Sequence, residues 1–581
     1  MEAAAVIVVI MLLVRRNPFD LTTRWIGEVD TKYYGWLAWR LSRLTGPTWR
    51  LTGVVHPAGL ELSLLDGLAP ITVSGVLARV FGRYLGLNLT ILIGLVLNYL
   101  GARRLATVMG ASGVWRVMCG LAFVAAPIFA SPASSFPPLL WAFTTPLLVA
   151  EFVRAARGDV EFRRWTVAAL LVVAYVCSIY HLVFGGLAAL IVGLAWPVSR
   201  LRTRAGAARL VAGVAVAAVV LLPFGVARLR YTSSEHAAGA PADQLSADTL
   251  TFSADLADPL VLPAPPGPFG SVRLGLHERP LERFRSGALG WALLAGVIAG
   301  LRRRPTGWGA LAAATGVLWI ATLGPRLIAW GHVPLAARWL PYRLLVAVPG
   351  LSALRAPYRA AIPLAALGVA FLAACQPAAV ASLAAGRSSP ATLGPSEGRR
   401  VWVPVLALGL LMMVSWWPRV ATTTSGPPRG LETAFAEIEA DPARRAVIVV
   451  PFTCSFDDLD VLNWQTAHHH PMVSCGVSTS ATRWYTRASV WFTSAGLAAA
   501  RCHPELDVFQ HPSAFSPDLR LDSSGLAELH NSFDVRWVVF DQARGEGCPT
   551  ATATLAALGG SRIMAQDGRY LVVDLDQPAT G

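Results

Sequence analysis

The feature that most constrains this chain is a series of almost uncharged apolar runs, each roughly 14–19 residues long, separated by short segments rich in arginine. A helix needs about 20 apolar residues to cross the roughly 30 Å hydrocarbon core of a bilayer. By that measure the runs near 85–101, 117–132, 138–153, 166–179, 182–198, 209–226, 287–301, 307–324, 358–376 and 401–417 read as membrane spans. The stretch 166–198 holds two of them only if it turns tightly around Tyr180-His181. Composition agrees: 54% of residues are apolar and 14% charged, against about 25% charged in a soluble domain. Mean hydropathy is +0.51. A soluble multidomain protein, a disordered chain and a secreted disulfide scaffold are excluded on these grounds.

The net charge is +14, from 49 basic and 35 acidic residues, and Lys32 is the only lysine. A nucleic-acid partner is excluded because such binders are not this apolar. Arginine-rich inner loops explain the surplus instead. With the N-terminus cytoplasmic, Arg103, Arg104, Arg116, Arg154, Arg157, Arg163, Arg164, Arg200, Arg202, Arg204, Arg209, Arg302–Arg304, Arg387, Arg399 and Arg400 all fall inside. Arg15 and Arg16 dissent. A further run at 3–14 reaches only about 18 Å. It has no basic residues ahead of it and no small-x-small cleavage site, so it reads as a tilted anchor or a late start rather than a removed signal peptide.

This topology places the loops 15–84, 227–286 and 325–357, and everything from 418, outside the cytoplasm. After a linker at 418–430, residues 431–581 read as a small α/β domain. It has strands near Val447–Phe452, Val535–Phe540 and Tyr570–Leu575 and helices near 431–440 and 551–558. Cys454, Cys475, Cys502 and Cys548 fall in this domain and allow up to two disulfides, in three pairings. Cys119, Cys177 and Cys375 lie in spans and read as buried thiols. The expected architecture is an α-helical polytopic membrane protein of about 11 transmembrane helices, residues 1–417, carrying this small C-terminal α/β extracytoplasmic domain.

The first outer loop contains Gly27-Glu28-Val29-Asp30. On an extended segment Glu28 and Asp30 share one face, where they can hold a divalent cation such as Mg or Mn, or one can act as a base. The bland alternative is a solvated pair neutralised by Lys32 or Arg24. Residues 33–44 put Tyr33, Trp36, Leu37 and Arg40 on one helical face, as in an interfacial helix. His56-Pro-Ala-Gly59 and then Asp66 follow; His56 is a candidate base or ligand. The second loop, rich in proline and glycine, offers Asp255, His277 and Glu278 over a cavity. In the third, Arg355 and Arg359 lie one helical turn apart at the outer end of a span, where arginine is disfavoured without a partner; their forks suit phosphate oxygens. In the tail, Gln465-Thr-Ala-His468-His-His470 puts His468 and His470 on one face if extended, without an evident third metal ligand. No P-loop, dinucleotide fingerprint or G-x-S-x-G motif occurs, and no internal repeat suggests an inverted-repeat transporter.

In the order of these features the chain resembles bacterial members of the GT-C superfamily, multispanning glycosyltransferases, and within it the YfhO-like branch. The resemblance implies transfer of a sugar from a polyprenyl-phosphate-linked sugar to a glycan, lipid or protein acceptor outside the cytoplasm, at the lipid bilayer of the bacterial plasma membrane. It implies that Asp30 or Glu28 is base or metal ligand, that Arg355 and Arg359 hold the donor phosphate, and that His56, Asp255, His277 and Glu278 line the substrate site. The competing class is a non-catalytic scaffold or transporter for lipid-linked saccharides. A transporter should carry ionisable groups in its spans, yet here Glu151 sits at an inner end and His181 at an outer turn.

Overall fold

The apolar runs become helices whose ends gather at two levels. The computed structural model describes residues 18–578 apart from a few short breaks and the stretches 46–49, 52–59, 130–135, 160–162, 238–252, 259–288, 329–339, 348–353, 378–394, 416–421, 451–457, 474–529 and 546–557. Four stretches among the described residues are long and apolar enough to cross a membrane: Leu68–Val108, Pro137–Arg157, Arg204–Arg230 and Pro357–Ala374. Gly113–Val124, Arg164–Cys177, His181–Ala195, Trp308–Thr322 and Trp402–Met412 are shorter apolar helices. The run at 3–14 lies outside the described residues.

At one level are the arginines. Arg157 donates to Val108 O and lies 5.1 Å over the Trp196 ring. Arg303 donates to Cys375 O at 3.0 Å, and Ser112 N donates to Gln376 Oε1 at 3.0 Å. At the other level lie Asp66, Phe136, Ser178, Thr322 and Arg359. Arg157 and Arg303, two of the arginines read as lying in inner loops, thus share one end of the bundle. The chain breaks at Ser178, just before the expected turn at Tyr180-His181: Ser178 is extended, and a π-helical turn His181–Gly185 leads into Gly186–Ala195.

The helix read over 33–44 is present as α1 (Val29–Ser42), and other bounds differ from the expectation. The loop 15–84 also contains the first arm of a helix α2 (Leu68–Val108). Gly82 breaks α2 with φ 81° and ψ 163°, a region open essentially only to glycine. The chain reverses there. A Cβ on Gly86 would lie 2.4 Å from Ala78 N, although eight residues of straight helix span about 12 Å. The arm 68–81 therefore folds back on 83–108 and leaves Val76, Val80 and Phe81 exposed (62%, 69% and 51%). The loop expected from 227 starts later, because the helix Arg204–Ala237 runs on through Pro223. The span near 117–132 is the short helix Gly113–Val124, which stops before Pro127; proline disfavours the helical conformation of the residue before it. The third loop carries a short helix, Tyr342–Ala347.

The C-terminal sheet comprises β3 (Ala446–Val450), β4 (Met472–Val473), β5 (Val535–Asp541), β6 (Ser561–Gln566) and β7 (Tyr570–Pro578), after a two-residue ladder of β1 (Trp25–Ile26) with β2 (Thr422–Thr423). Its order is β4-β3-β5-β7-β6, parallel across the first three strands and antiparallel thereafter. Unbroken apolar runs such as Ala446–Val450 suit strands buried on both faces, and Val447, Ile448, Val538 and Val539 are all buried. Phe435 and Trp464, from helices Glu432–Ala440 and Asp458–His468, pack on one face. The expected helix at 551–558 and the cysteines Cys454, Cys475, Cys502 and Cys548 lie outside the described residues, whereas Cys119, Cys177 and Cys375 are buried free thiols.

No atom lies within 4 Å of a Cβ placed on Gly82, so Gly82→Ala isolates the backbone term. It should cost about 1–3 kcal/mol, read as a lower unfolding midpoint of the detergent-solubilised protein. An unchanged midpoint contradicts the reversal.

Candidate functional site

At the other end of the bundle the chain assembles a polar cluster. Ser178 is extended between two helices, so Ile179 N has no helical acceptor there. Asp66 supplies it: its Oδ1 accepts from Ile179 N at 2.9 Å and its Oδ2 from Ser178 Oγ at 3.0 Å. Asp66 Oδ2 also faces a terminal guanidinium nitrogen of Arg359 at 3.7 Å, with both side chains mostly buried (16% and 13% exposed).

Arg359 sits in the 3-10 turn Pro357–Ala360 that leads into helix Ala361–Ala374. Its guanidinium lies 4.4 Å from the ring centres of both Phe136 and Tyr180. Tyr180 is held in turn, because its hydroxyl accepts from Ala356 N at 3.3 Å. The Asp66 contact is long for a hydrogen bond, Tyr358 supplies a side-chain hydrogen bond, and Arg359 Nε is buried without a partner. That unpartnered N–H of a planar fork suits an oxyanion. His181 is also buried, with Nε2 unpartnered while its ring bonds to the Leu139 carbonyl.

The Asp255 loop reaches the same end. Ala254 N donates to Thr322 O at 2.8 Å and Leu256 N to Ile328 O at 2.9 Å. A Cβ on Gly324 would touch both Ser253 and Pro357, so this segment lies beside the turn that carries Arg359. Asp255 itself is buried. Glu28, His56, His277, Glu278 and Arg355 lie outside the described residues. Asp30 stands in the first turn of α1, which corrects the extended reading of the Glu28–Asp30 pair. The helix begins at Val29, immediately after Glu28, so an alternation of faces does not apply. Among the described residues no group of three His, Cys, Asp or Glu is placed to hold a metal ion.

The helix α1 is not merely interfacial: Tyr33, Trp36, Leu37 and Trp39 are buried. Trp36 Nε1 donates to Gln465 Oε1 at 3.0 Å, and Asn463 Nδ2 donates to Lys32 O at 3.0 Å. On the other side Asn88 of α2 accepts from Ile26 N and donates to the carbonyls of Leu21 and Arg24. Arg83 donates to Thr466 Oγ1 and to Ser425 O. The Gln465–His468 segment expected to be extended ends the helix Asp458–His468. His468 Nδ1 accepts from His470 N at 3.1 Å, its Nε2 has no partner, and its ring meets Phe435 edge-on. Burial, reinforced by His470 and His469, pushes the His468 pKa down to about 3.

Sequence reasoning missed Tyr180, His181 and Phe136 as site residues and noted Asp66 only in passing. The available signal was an aspartate directly before a glycine and an apolar helix.

No protein-family model matches the chain, and no curated protein matches it in sequence. Solved structures do match. The arabinofuranosyltransferase AftD from Mycobacteria superposes with TM-score 0.54 at 14% identity, over 98% of this chain and 39% of its own. This chain thus spans about two fifths of the length of that protein. ArnT from Cupriavidus metallidurans bound to undecaprenyl phosphate matches with TM-score 0.48 and 15% identity, over 98% of this chain and 97% of its own. The oligosaccharyltransferase AglB from Archaeoglobus fulgidus, with an inhibitory peptide and a dolichol-phosphate, matches with TM-score 0.47 and 14% identity, over 96% and 72%. The fold is shared with AftD, in a multi-pass membrane protein.

Two outcomes are expected. Asp66→Ala leaves a buried guanidinium unpaired and should cost about 3–5 kcal/mol; adding Arg359→Met should restore part of this, measured by unfolding in detergent. His468 is neutral when folded and protonates near pH 6.5 when unfolded. Its contribution is therefore full above about pH 6.5 and is lost as pH falls toward 3. Unfolding of the C-terminal domain followed by tryptophan fluorescence should show this slope, and His468→Phe should flatten it.

Proposed function

We propose that this protein transfers a sugar from a polyprenyl-phosphate donor to an acceptor outside the cytoplasm, as a membrane glycosyltransferase. The observation that carries the reading is Arg359: a buried guanidinium with an unpartnered Nε at the end of a membrane bundle with the GT-C fold. The group moved is a pentose or hexose, and the similarity to an arabinofuranosyltransferase favours a pentose. The reading also places the protein in the bacterial plasma membrane with its C-terminal domain outside.

In a polyprenyl-phosphate sugar the phosphate is already a leaving group, so no nucleotide is required. The bond from the anomeric carbon to the phosphate oxygen breaks as the acceptor oxygen bonds to that carbon, and the acceptor proton passes to a carboxylate. Arg359, with Arg355 four residues before it, neutralises the departing phosphate. Asp30 or Glu28 takes the proton. If that pair instead holds Mg or Mn, the ion would supply positive charge beside the acceptor. Asp255, His56, His277 and Glu278 line the sugar and acceptor side. The lipid tail stays in the bilayer throughout.

The test is transfer from a panel of radiolabelled polyprenyl-phosphate sugars by full-length protein in nanodiscs. Wild type should transfer at least one sugar. Arg359→Ala and Asp30→Asn should each lower kcat/KM by roughly a hundredfold or more. Loss of transfer in EDTA with recovery in Mn or Mg assigns the carboxylates to the cation, and full transfer in EDTA assigns them to the base. No turnover across the panel by folded protein overturns the proposal in favour of a scaffold.

A further inference from the structure

The C-terminal domain grips the helix that carries Asp30 close to that residue. Asn463 donates to the carbonyl of Lys32, two positions beyond Asp30, at 3.0 Å. One helical turn further on, the buried indole of Trp36 donates to Gln465 Oε1 at 3.0 Å. Gln465 is itself fixed, because its Nε2 donates to His470 O at 2.8 Å. Asn463, Gln465 and Trp36 are all buried to 1% exposure or less. His469 adds a parallel stack on Trp39, with ring centres 5.7 Å apart, and is itself held by Glu439 at 2.7 Å.

We propose that Asn463 and Gln465 are positioning residues for Asp30, which makes the C-terminal domain part of the transfer site rather than an appended module. The inference rests on the reading of Asp30 as the transfer carboxylate. Its physical basis is that a short helix keeps its place through tertiary contacts rather than through its own propensity. The membrane side holds this helix as well, through Tyr34 against Phe136 and Leu41 against Gly75. Asn463 and Gln465 supply hydrogen bonds at its first turns, and a carboxylate must be held to within a fraction of an ångström to act on a bound hydroxyl.

Full-length Gln465→Leu, Gln465→Glu, Asn463→Ala, Trp36→Phe and the double variant Trp36→Phe/Gln465→Leu would be compared in nanodiscs. Gln465→Leu should lower kcat roughly tenfold and leave the donor KM within about twofold. Gln465→Glu keeps an acceptor for the Trp36 indole but loses the donor to His470 O, so its kcat should fall between wild type and Gln465→Leu. The double variant should be no slower than Gln465→Leu alone, since both remove one bond. Hydrogen exchange of the amides of 29–36 should quicken in Gln465→Leu and Asn463→Ala. Retained kcat in Gln465→Leu, or quickened exchange confined to residues 431–581, overturns the inference. Should wild type itself transfer no sugar, the proposed function fails, and the exchange at 29–36 still decides whether the domain holds the helix.

Discussion

A guanidinium set among apolar helices stays there only if something neutralises it. In this protein that condition binds distant parts of the chain. Arg359 opens one of the most buried of the described helices, and its counter-charge Asp66 comes from the segment just before α2. Asp66 reaches the pair because the chain breaks at Ser178 and leaves Ile179 N needing an acceptor. Phe136 and Tyr180 then lie against the guanidinium. One ion pair thus fixes where four separate connections meet, and it leaves Arg359 Nε without a partner.

A second set of constraints operates around α1. Its neighbours are small or hydrogen-bonding where close approach demands it. Gly35 lets the Trp25 ring lie flat against the helix, and Gly75 admits Leu41. Asn88 satisfies three backbone groups of the preceding loop. Arg83, placed immediately after the chain reversal, lies against Trp25 and Tyr84 while donating to the linker and to Thr466. The reversal at Gly82 is what brings that arginine to the junction of the two domains.

Much of the fold was legible because hydropathy reports burial in lipid directly. The apolar runs, the arginine-rich end and the strands at 446–450, 535–541 and 570–578 all follow from it. The helical arm at 68–81 was not legible, since its exposed valines and Arg79 resemble a mixed loop and the reversal depends on one glycine's dihedral angles. Asp30 falls in the first turn of α1 rather than on an extended segment, because the spacing of two carboxylates does not place the start of a helix. At the cluster, Arg359 stood out as an arginine on the wrong side of the orientation rule. Its partner did not, because nothing local in Asp66 points to a residue so far along the chain. His181 was visible as an ionisable group at a turn, but its unpartnered nitrogen is a property of packing.

The hydrogen bond from Trp36 to Gln465 joins residues 429 positions apart, and this distance has a consequence for biogenesis. At typical rates of synthesis the indole waits from roughly twenty seconds to more than a minute for its acceptor to emerge. Throughout that interval Trp36 and Trp39 are without Gln465 and His469, and the bilayer surface is the shelter such aromatic side chains favour.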